Sequence, residues 1–280
     1  MADWVAPAKL NLDLRVGPAR GDGLHPLRSV VQTVEWCDVL AVNDGDEDRL
    51  VVDGDELSEG GDNLVWRALE KMGLEDRPRL ELRLTKSIAV AAGLGGGSAN
   101  AAAMLVAVAD MCGLAATVPA EVAPRVGADV PFFLIGGTAL MEGAGELISA
   151  MDPLEPFSVA IVVPPFELAT SDVYRRWDEM DGPVGRTLDR HSLPPPMRRL
   201  DDVRNDLTPA AVSLRPELGD WVSEQEREWG RPVFMTGSGP ACFGVFIDDD
   251  EATDALVSVA EHRAAKACTI RSGGVARRED

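Results

Sequence analysis

The sequence predicts an α+β fold. Three observations carry this: strand-like alternation and helix-like periodicity are mixed along the chain, they follow no strict βαβ rhythm, and no internal repeat orders them. At about 150 residues per domain, 280 residues fit one large domain or two modest ones. The break between halves is expected near Asp152-Pro153, giving segments 1–152 and 153–280.

The elements follow in order. Leu10, Leu12, Leu14 and Val16 alternate with Lys9, Asn11, Asp13 and Arg15, a strand with one core face and one polar face that carries Lys9 and Asn11 together. Arg20-Gly21-Asp22-Gly23 is a turn cluster, and Val30 to Leu40 reads as a second strand. Asp62 and Asn63 start a helix on which Leu64, Val65, Ala68, Leu69 and Met72 recur at helical spacing, with Gly73 as its C-terminal cap. Leu80, Leu82 and Leu84 give another strand. A long Gly/Ala loop then leads to an Ala-rich helix from Ser98, its cap, to Cys112.

Pro156 to Val163 reads as a buried strand, and Thr170 or Ser171 caps a helix bearing Val173, Tyr174 and Trp177. Met180 to Arg204, rich in Pro, Gly and Arg, reads as a loop or mobile segment. Val233 to Thr236, a turn at Gly237-Ser238-Gly239-Pro240, and Ala241 to Ile247 form strand, turn, strand. A helix from Glu251 to Ala264 and a strand over 268–271 complete the chain.

Composition narrows the function. Lys plus Arg is 27 against 47 Asp plus Glu, a net charge of −20, and phosphate-backbone binding needs the opposite sign. No apolar run approaches the roughly 18 residues that span a bilayer, and Asp3 and Trp4 follow Met1 where a secretory leader would be basic. A cytoplasmic protein without nucleic-acid or membrane partners is the expectation. Cys37, Cys112, Cys242 and Cys268 are far apart, with no CxxC or HExxH, so buried free thiols are expected rather than zinc or disulfide chemistry. Lys9, Lys71, Lys86 and Lys266 are the only lysines, and two of them fall in the motifs below.

The strongest chemical signal is Gly93-Leu94-Gly95-Gly96-Gly97-Ser98-Ala99-Asn100. Four glycines in five residues allow close backbone approach to a bound group, and a helix N-terminus behind them offers free N–H groups and a positive dipole end. That combination suits a phosphate; the bland reading is a flexible loop before a helix. No Lys follows the last glycine, so this is not a Walker-type loop. The sixth residue from Gly93 is Ser98 and from Gly95 is Asn100, so it is not G-x-G-x-x-G either.

The pattern resembles the glycine loop of the GHMP kinases, the superfamily of galactokinase, homoserine kinase and mevalonate kinase. Pro7-Ala8-Lys9-Leu10-Asn11-Leu12 resembles its N-terminal motif and Met235-Thr236-Gly237-Ser238-Gly239-Pro240-Ala241 its C-terminal glycine motif. Asp22-Gly23-Leu24-His25, Gly127-Ala128-Asp129-Val130-Pro131-Phe132-Phe133 and Asn205-Asp206-Leu207 are similar to the branch that phosphorylates a cytidyl-diphospho sugar alcohol in non-mevalonate isoprenoid synthesis.

The resemblance implies two α+β domains with the active site in the cleft between them, an ATP-dependent kinase with Mg²⁺, and a monomer or weak homodimer. It implies catalytic roles for Lys9 and Asp129, the latter as base. ATP contacts fall on Asn63, Ala89, Val90, Ala91, Ala92, Gly93, Leu94, Gly95, Gly96, Gly97, Ser98 and Ala99, and acceptor contacts on Asn11, His25, Lys86 and Tyr174. Thr236, Gly237, Ser238 and Gly239 form the C-terminal glycine motif. No protein cage for metal is implied; Mg²⁺ meets ATP phosphates, water and Ser98. Two departures stand out. Leu24 replaces the aromatic usual before the histidine, and Ala89, Ala91 and Ala92 replace the usual Pro and Gly of the loop. A GHMP kinase with a homoserine- or mevalonate-type acceptor, and a ligand sensor that keeps the fold without catalysis, are the competing readings.

Overall fold

The computed structural model describes residues 2–54, 58–259 and 262–278. The chain runs β1 (Ala2–Val16), β2 (Leu27–Gly45), β3 (Arg49–Asp53), α1 (Leu64–Met72), β4 (Arg79–Thr85), α2 (Gly96–Met111), α3 (Thr117–Val126), α4 (Val130–Ile135), β5 (Thr138–Gly143) and β6 (Leu147–Ala150). It continues with β7 (Ser158–Val163), α5 (Thr170–Glu179), β8 (Leu188–Asp189), a 3₁₀ turn (Pro195–Leu200), β9 (Asp202–Val203), α6 (Thr208–Leu214) and α7 (Pro216–Trp229). Last come β10 (Val233–Met235), β11 (Cys242–Phe246), α8 (Asp249–Val257), β12 (Ala264–Thr269) and β13 (Ala276–Arg277).

Two sheets organise these elements. The first has the order β13-β1-β2-β4-β3, with β5 on β2 and β6 on β5; the second has the order β10-β11-β7-β12. β13 brings the end of the chain back to β1, with Trp4 opposite Arg277. Leu82, Leu84, Met104, Phe132 and Phe133 belong to a core between the first sheet and its helices. A second core joins Leu10, Leu12, Phe157, Ile161 and Phe243 to Ile88, Ala92 and Leu94 of the glycine loop, so that loop is anchored by buried side chains.

β1 alternates as expected, yet its polar face does not meet solvent. Lys9, Asn11 and Asp13 are all buried: Lys9 and Asn11 lie against the glycine motifs, and Asp13 accepts from Arg15 Nε and Arg204 N. Register shifts at Pro7/Ala8 and Asn11/Asp13 flank this stretch; such bulges re-aim side chains and recur beside functional sites. α1 has the expected ends: Asn63 accepts from Val65 N, and Gly73 takes the left-handed conformation at φ 65°.

Several elements differ from the sequence reading, among them the strand expected over 268–271, which runs Ala264–Thr269. α2 starts at Gly96, with Gly95 as its N-cap at φ 74°, so Ser98 lies inside the first turn and does not cap. Left-handed Gly95 turns the chain into the helix three residues earlier than a cap at Ser98 would. α5 begins after Ala169; Thr170 does not cap it but pairs its hydroxyl with Ser238 Oγ at 2.9 Å. Residues 180–204 are pinned: Leu188 pairs with Val203, and Leu193 and Met197 are buried in the second core. Isolated apolar residues in a Pro-rich stretch supply that anchorage. α8 stops at Val257, short of Ala264, because Ala264 already pairs with Val163 in β12; residues 260 and 261 lie outside the described residues. The four cysteines are free; Cys242 and Cys268 are buried, Cys37 and Cys112 partly so.

Candidate active site

The three glycine- and lysine-bearing motifs meet at one place. Lys9 N donates to Leu94 O at 2.9 Å, Ala241 N donates to Ala92 O at 3.2 Å, and Asn11 N donates to Thr236 Oγ1 at 2.9 Å. The contact needs glycine. A Cβ on Gly93, at φ 82°, would lie 2.6 Å from Thr236 O, so the two glycine turns pack backbone to backbone. Asn205 braces the second turn by donating from Nδ2 to Met235 O at 2.8 Å and Gly237 O at 2.9 Å, while its Oδ1 accepts from Leu207 N.

A cleft of about 770 Å³ opens over this junction. Lys9, Asn11, Gly93, Gly95, Asp129, Gly237 and Ser238 line it at one end, and Leu24, His25, Tyr174, Arg175 and Asp178 at the other. Lys9 Nζ donates to Asn11 Oδ1 and lies 4.0 Å from Asp129 Oδ2. Burial pushes the Lys9 ammonium below the usual lysine range, and the Asp129 charge acts against that. Asp129 stands immediately before α4 without capping it, which leaves the carboxylate turned to the cleft and about one-third exposed.

At the other end, His25 Nδ1 contacts Gly17 O at 3.0 Å and Nε2 lies 3.3 Å from Asp178 Oδ2. Its ring sits 5.1 Å from Tyr174 and edge-on to Trp177 at 5.5 Å. Burial pushes the Tyr174 phenol up to about 12, with the charge of Asp129 adding to it. Leu24 is half exposed at the mouth.

Of the residues read from sequence, Lys9, Asn11, Asp129, His25, Tyr174, Gly93, Gly95, Gly237 and Ser238 converge on the cleft. Gly96, Gly97, Ser98 and Ala99 form the first turn of α2; Leu94, Ala89 and Ala92 are buried behind it, and Ala91 takes a positive φ of 52°. Val90 O accepts from Arg263 Nη2. Thr236 is buried on Asn11, and Gly239, at φ 83°, closes the turn.

Two further residues have side chains engaged elsewhere. Asn63 spends its side chain on Val65 N and Ser58 O at the start of α1. Lys86 is buried in an ion pair with Asp38, whose other oxygen accepts from Ser87 N and Ile88 N, and it does not line the cleft. Its ammonium lies beneath Gly96 instead, 3.2 Å from where a Cβ would be.

Sequence reading missed Thr170 and Asp178. The signal was available: Thr170, Tyr174 and Asp178 stand at i, i+4 and i+8 on α5 and share one helix face. Nothing local marked Asp38 as the partner of Lys86.

A glycine loop at a helix N-terminus, set beside a lysine–aspartate pair in one roomy cleft, is the arrangement of a small-molecule kinase of GHMP type. The model for the GHMP kinases N terminal domain matches residues 63–137, and that for GHMP kinases C terminal matches 188–265. The 4-diphosphocytidyl-2-C-methyl-D-erythritol kinase of Geobacter metallireducens is 35% identical over 266 residues, covering 91% of this chain and 92% of that one. A crystal structure of 4-(cytidine 5'-diphospho)-2C-methyl-D-erythritol kinase superposes with a TM-score of 0.80 at 33% identity, covering 97% of this chain and 99% of the other. The chain belongs to the 4-diphosphocytidyl-2-C-methyl-D-erythritol kinase family of the GHMP kinases. A homoserine kinase from Cytophaga hutchinsonii, 17% identical with a TM-score of 0.68 over 99% of this chain and 97% of its own, shares the fold.

Proposed function

We propose that this chain transfers the γ-phosphoryl group of ATP to the 2-hydroxyl of 4-diphosphocytidyl-2-C-methyl-D-erythritol. The observation that carries the reading is the 4.0 Å approach of Lys9 Nζ to Asp129 Oδ2 where the glycine loop opens into the cleft. Asp129 accepts the hydroxyl proton as the oxygen attacks the γ-phosphorus, and the bond to the bridging oxygen breaks so that ADP leaves with its electron pair. Lys9, held by Asn11, stabilises negative charge on the transferring group.

ATP phosphates rest on the main chain of residues 93–97 at the N-terminus of α2, where free N–H groups and the dipole favour anions. Lys86 supports that site from beneath Gly96 through its pair with Asp38 rather than touching the acceptor, and Asn63 acts as the cap of α1 rather than as a direct ATP contact. His25 and Tyr174 hold the base.

Among the described residues, no three His, Cys, Asp or Glu side chains gather to hold a metal. Mg²⁺ carried in by the ATP phosphates would be held mainly by them and by water and would need few protein ligands, with Ser98 the side chain that could offer it oxygen. When bound, the ion neutralises phosphate charge. We further propose domains meeting near Asp152-Pro153, a cytoplasmic location and a monomer or weak homodimer.

ADP release measured with the cytidyl-erythritol compound, homoserine and mevalonate tests the reading. Turnover with the first alone is expected. Turnover with another acceptor would replace it, and ATP binding without turnover on any would favour a sensor.

A further inference from the structure

Behind the polar face of β1 runs a chain of buried hydrogen bonds of which the chemistry above uses only the first. Lys9 Nζ donates to Asn11 Oδ1, Asn11 Nδ2 donates to Ser29 Oγ at 2.7 Å, and Ser29 Oγ donates to the Asp13 carbonyl at 2.6 Å. Ser29 stands on β2, opposite Leu14, and is wholly buried; it does not line the cleft. The Asp13 carbonyl that it holds lies on the far side of the register shift from Asn11.

The direction of each proton in this chain is fixed. An ammonium only donates and a main-chain carbonyl only accepts, so both ends face one way. The Ser29 proton is engaged on Asp13 O, which leaves Oγ as an acceptor and calls for the amide nitrogen of Asn11 on that side. The amide oxygen is then turned to Lys9, where Thr236 Oγ1 also approaches it at 3.4 Å. Turned over, the amide would set N–H₂ against the ammonium and oxygen against the lone pairs of Ser29.

We propose that Ser29 is a positioning residue for phosphoryl transfer, holding the Asn11 amide in the orientation that offers its oxygen to the Lys9 ammonium. It acts through Asn11 and Lys9. Without the Ser29 hydroxyl, the buried N–H₂ has no acceptor on that side, and the amide must shift or stay unsatisfied. Lys9 then loses its fixed partner, and a small displacement of a catalytic group lowers rate more than binding. The inference rests on the reading of Lys9 as a catalytic group.

ADP release by Ser29→Ala and Ser29→Cys, beside Lys9→Ala, tests it. Both Ser29 variants are expected to lose about 10- to 100-fold in kcat with the KM for ATP within about twofold of wild type. Cysteine fills the space of serine but hydrogen-bonds weakly, so near wild-type kcat in Ser29→Cys would show that Ser29 only packs, and would overturn the proposal. Ser29→Cys also carries the test if Ser29→Ala does not fold. In an Asn11→Ala background, Ser29→Ala should lower kcat by less than about twofold more, because the group it orients is gone. A full additional loss there would place its action elsewhere and overturn the proposal. An inactive Lys9→Ala beside fully active Ser29 variants overturns the proposal alone, whereas an active Lys9→Ala removes the reading of Lys9 and the proposal with it.

Discussion

The main-chain N–H of Lys9 donates to the carbonyl of Leu94 at 2.9 Å, so the strand that carries the cleft's ammonium is tied directly to the glycine loop. Loop and lysine cannot move independently. Gly95 shows the same coupling: a Cβ there would stand 2.7 Å from the Phe133 ring and 3.0 Å from Lys9 Cγ. Phosphate cradle and lysine–aspartate pair are thus one construction, and the predictions below separate its parts.

Gly93→Ala should damage nucleotide binding most. Its Cβ would meet the Thr236 carbonyl at 2.6 Å, and its φ of 82° is strained for alanine. Backbone cannot yield as a side-chain tip can. ATP affinity by calorimetry should fall at least about tenfold, with strain on the order of 1–3 kcal/mol. Gly97→Ala meets only the flexible Leu64 side chain and should bind nearly normally. Equal affinities in the two variants would put the phosphates elsewhere.

Asp129→Asn should lower kcat by roughly 10²–10⁴ while ATP affinity changes little, because an amide cannot take the hydroxyl proton. Its fold should survive, since the Asp129 side chain makes no capping hydrogen bond to α4. Lys9→Arg should not restore a Lys9→Ala loss: Gly95 and Gly237 close on the lysine stem and ammonium, leaving no room for a planar guanidinium. Near wild-type kcat in either Asp129→Asn or Lys9→Arg would remove that residue's role.

Burial of Lys9 makes a claim about stability. Its folded-state pKa lies below the unfolded value of 10.5. The unfolded chain therefore binds more protons between the two values, so wild-type stability rises with pH across that window and carries the full penalty below it. Lys9→Met removes the penalty. Its stability relative to wild type should be most favourable at low and neutral pH and should decline as pH climbs toward 10.5. The lost hydrogen bond to Asn11 is a constant offset. Urea unfolding at pH 6, 8 and 10 reads the trend, and a difference that does not change with pH would show that burial does not act on this lysine.

Most of this site was legible because motifs are contiguous and β-strand alternation is local. Lys9 and Asn11 fall on one face by a period of two, and the glycines announce their own conformations. What stayed hidden depends on long-range partners. Lys86 pairs with Asp38, 48 residues away in sequence, and no local pattern marked that partner. Thr170 looked like a cap until Ser238 took its hydroxyl. The 180–204 segment looked mobile because its turn residues outnumber Leu193 and Met197, yet those two buried side chains pin it.

Asn205 illustrates a residue whose worth lies in bracing. Its Nδ2 holds Met235 O and Gly237 O, and alanine would leave both carbonyls without that donor. A cost of about 1–3 kcal/mol is expected. Thermal unfolding of Asn205→Ala should show it, together with weaker ATP binding, because Gly237 packs on Gly93. A full loss of stability with ATP affinity intact would mean that the C-terminal turn does not support the phosphate loop.

Leu24 offers the last test, at the acceptor end. It is 51% exposed and lines the cleft together with Tyr174, whose ring leans on His25 at a 38° tilt. A base entering here has an aromatic surface on one side and an aliphatic one on the other. Leu24→Tyr supplies the second ring, and base–aromatic stacking is worth about 1–3 kcal/mol. The base is remote from the reacting hydroxyl, so this gain is shared by ground and transition states and should appear in KM rather than kcat. Steady-state kinetics with the cytidyl-erythritol acceptor varied should show its KM falling by about 5- to 150-fold, with kcat and the KM for ATP unchanged. Tyr174→Ala should raise the same KM. A Leu24→Tyr enzyme with unaltered acceptor KM would mean that the base does not lie between these two positions, and the roles given to His25 and Tyr174 would fall with it.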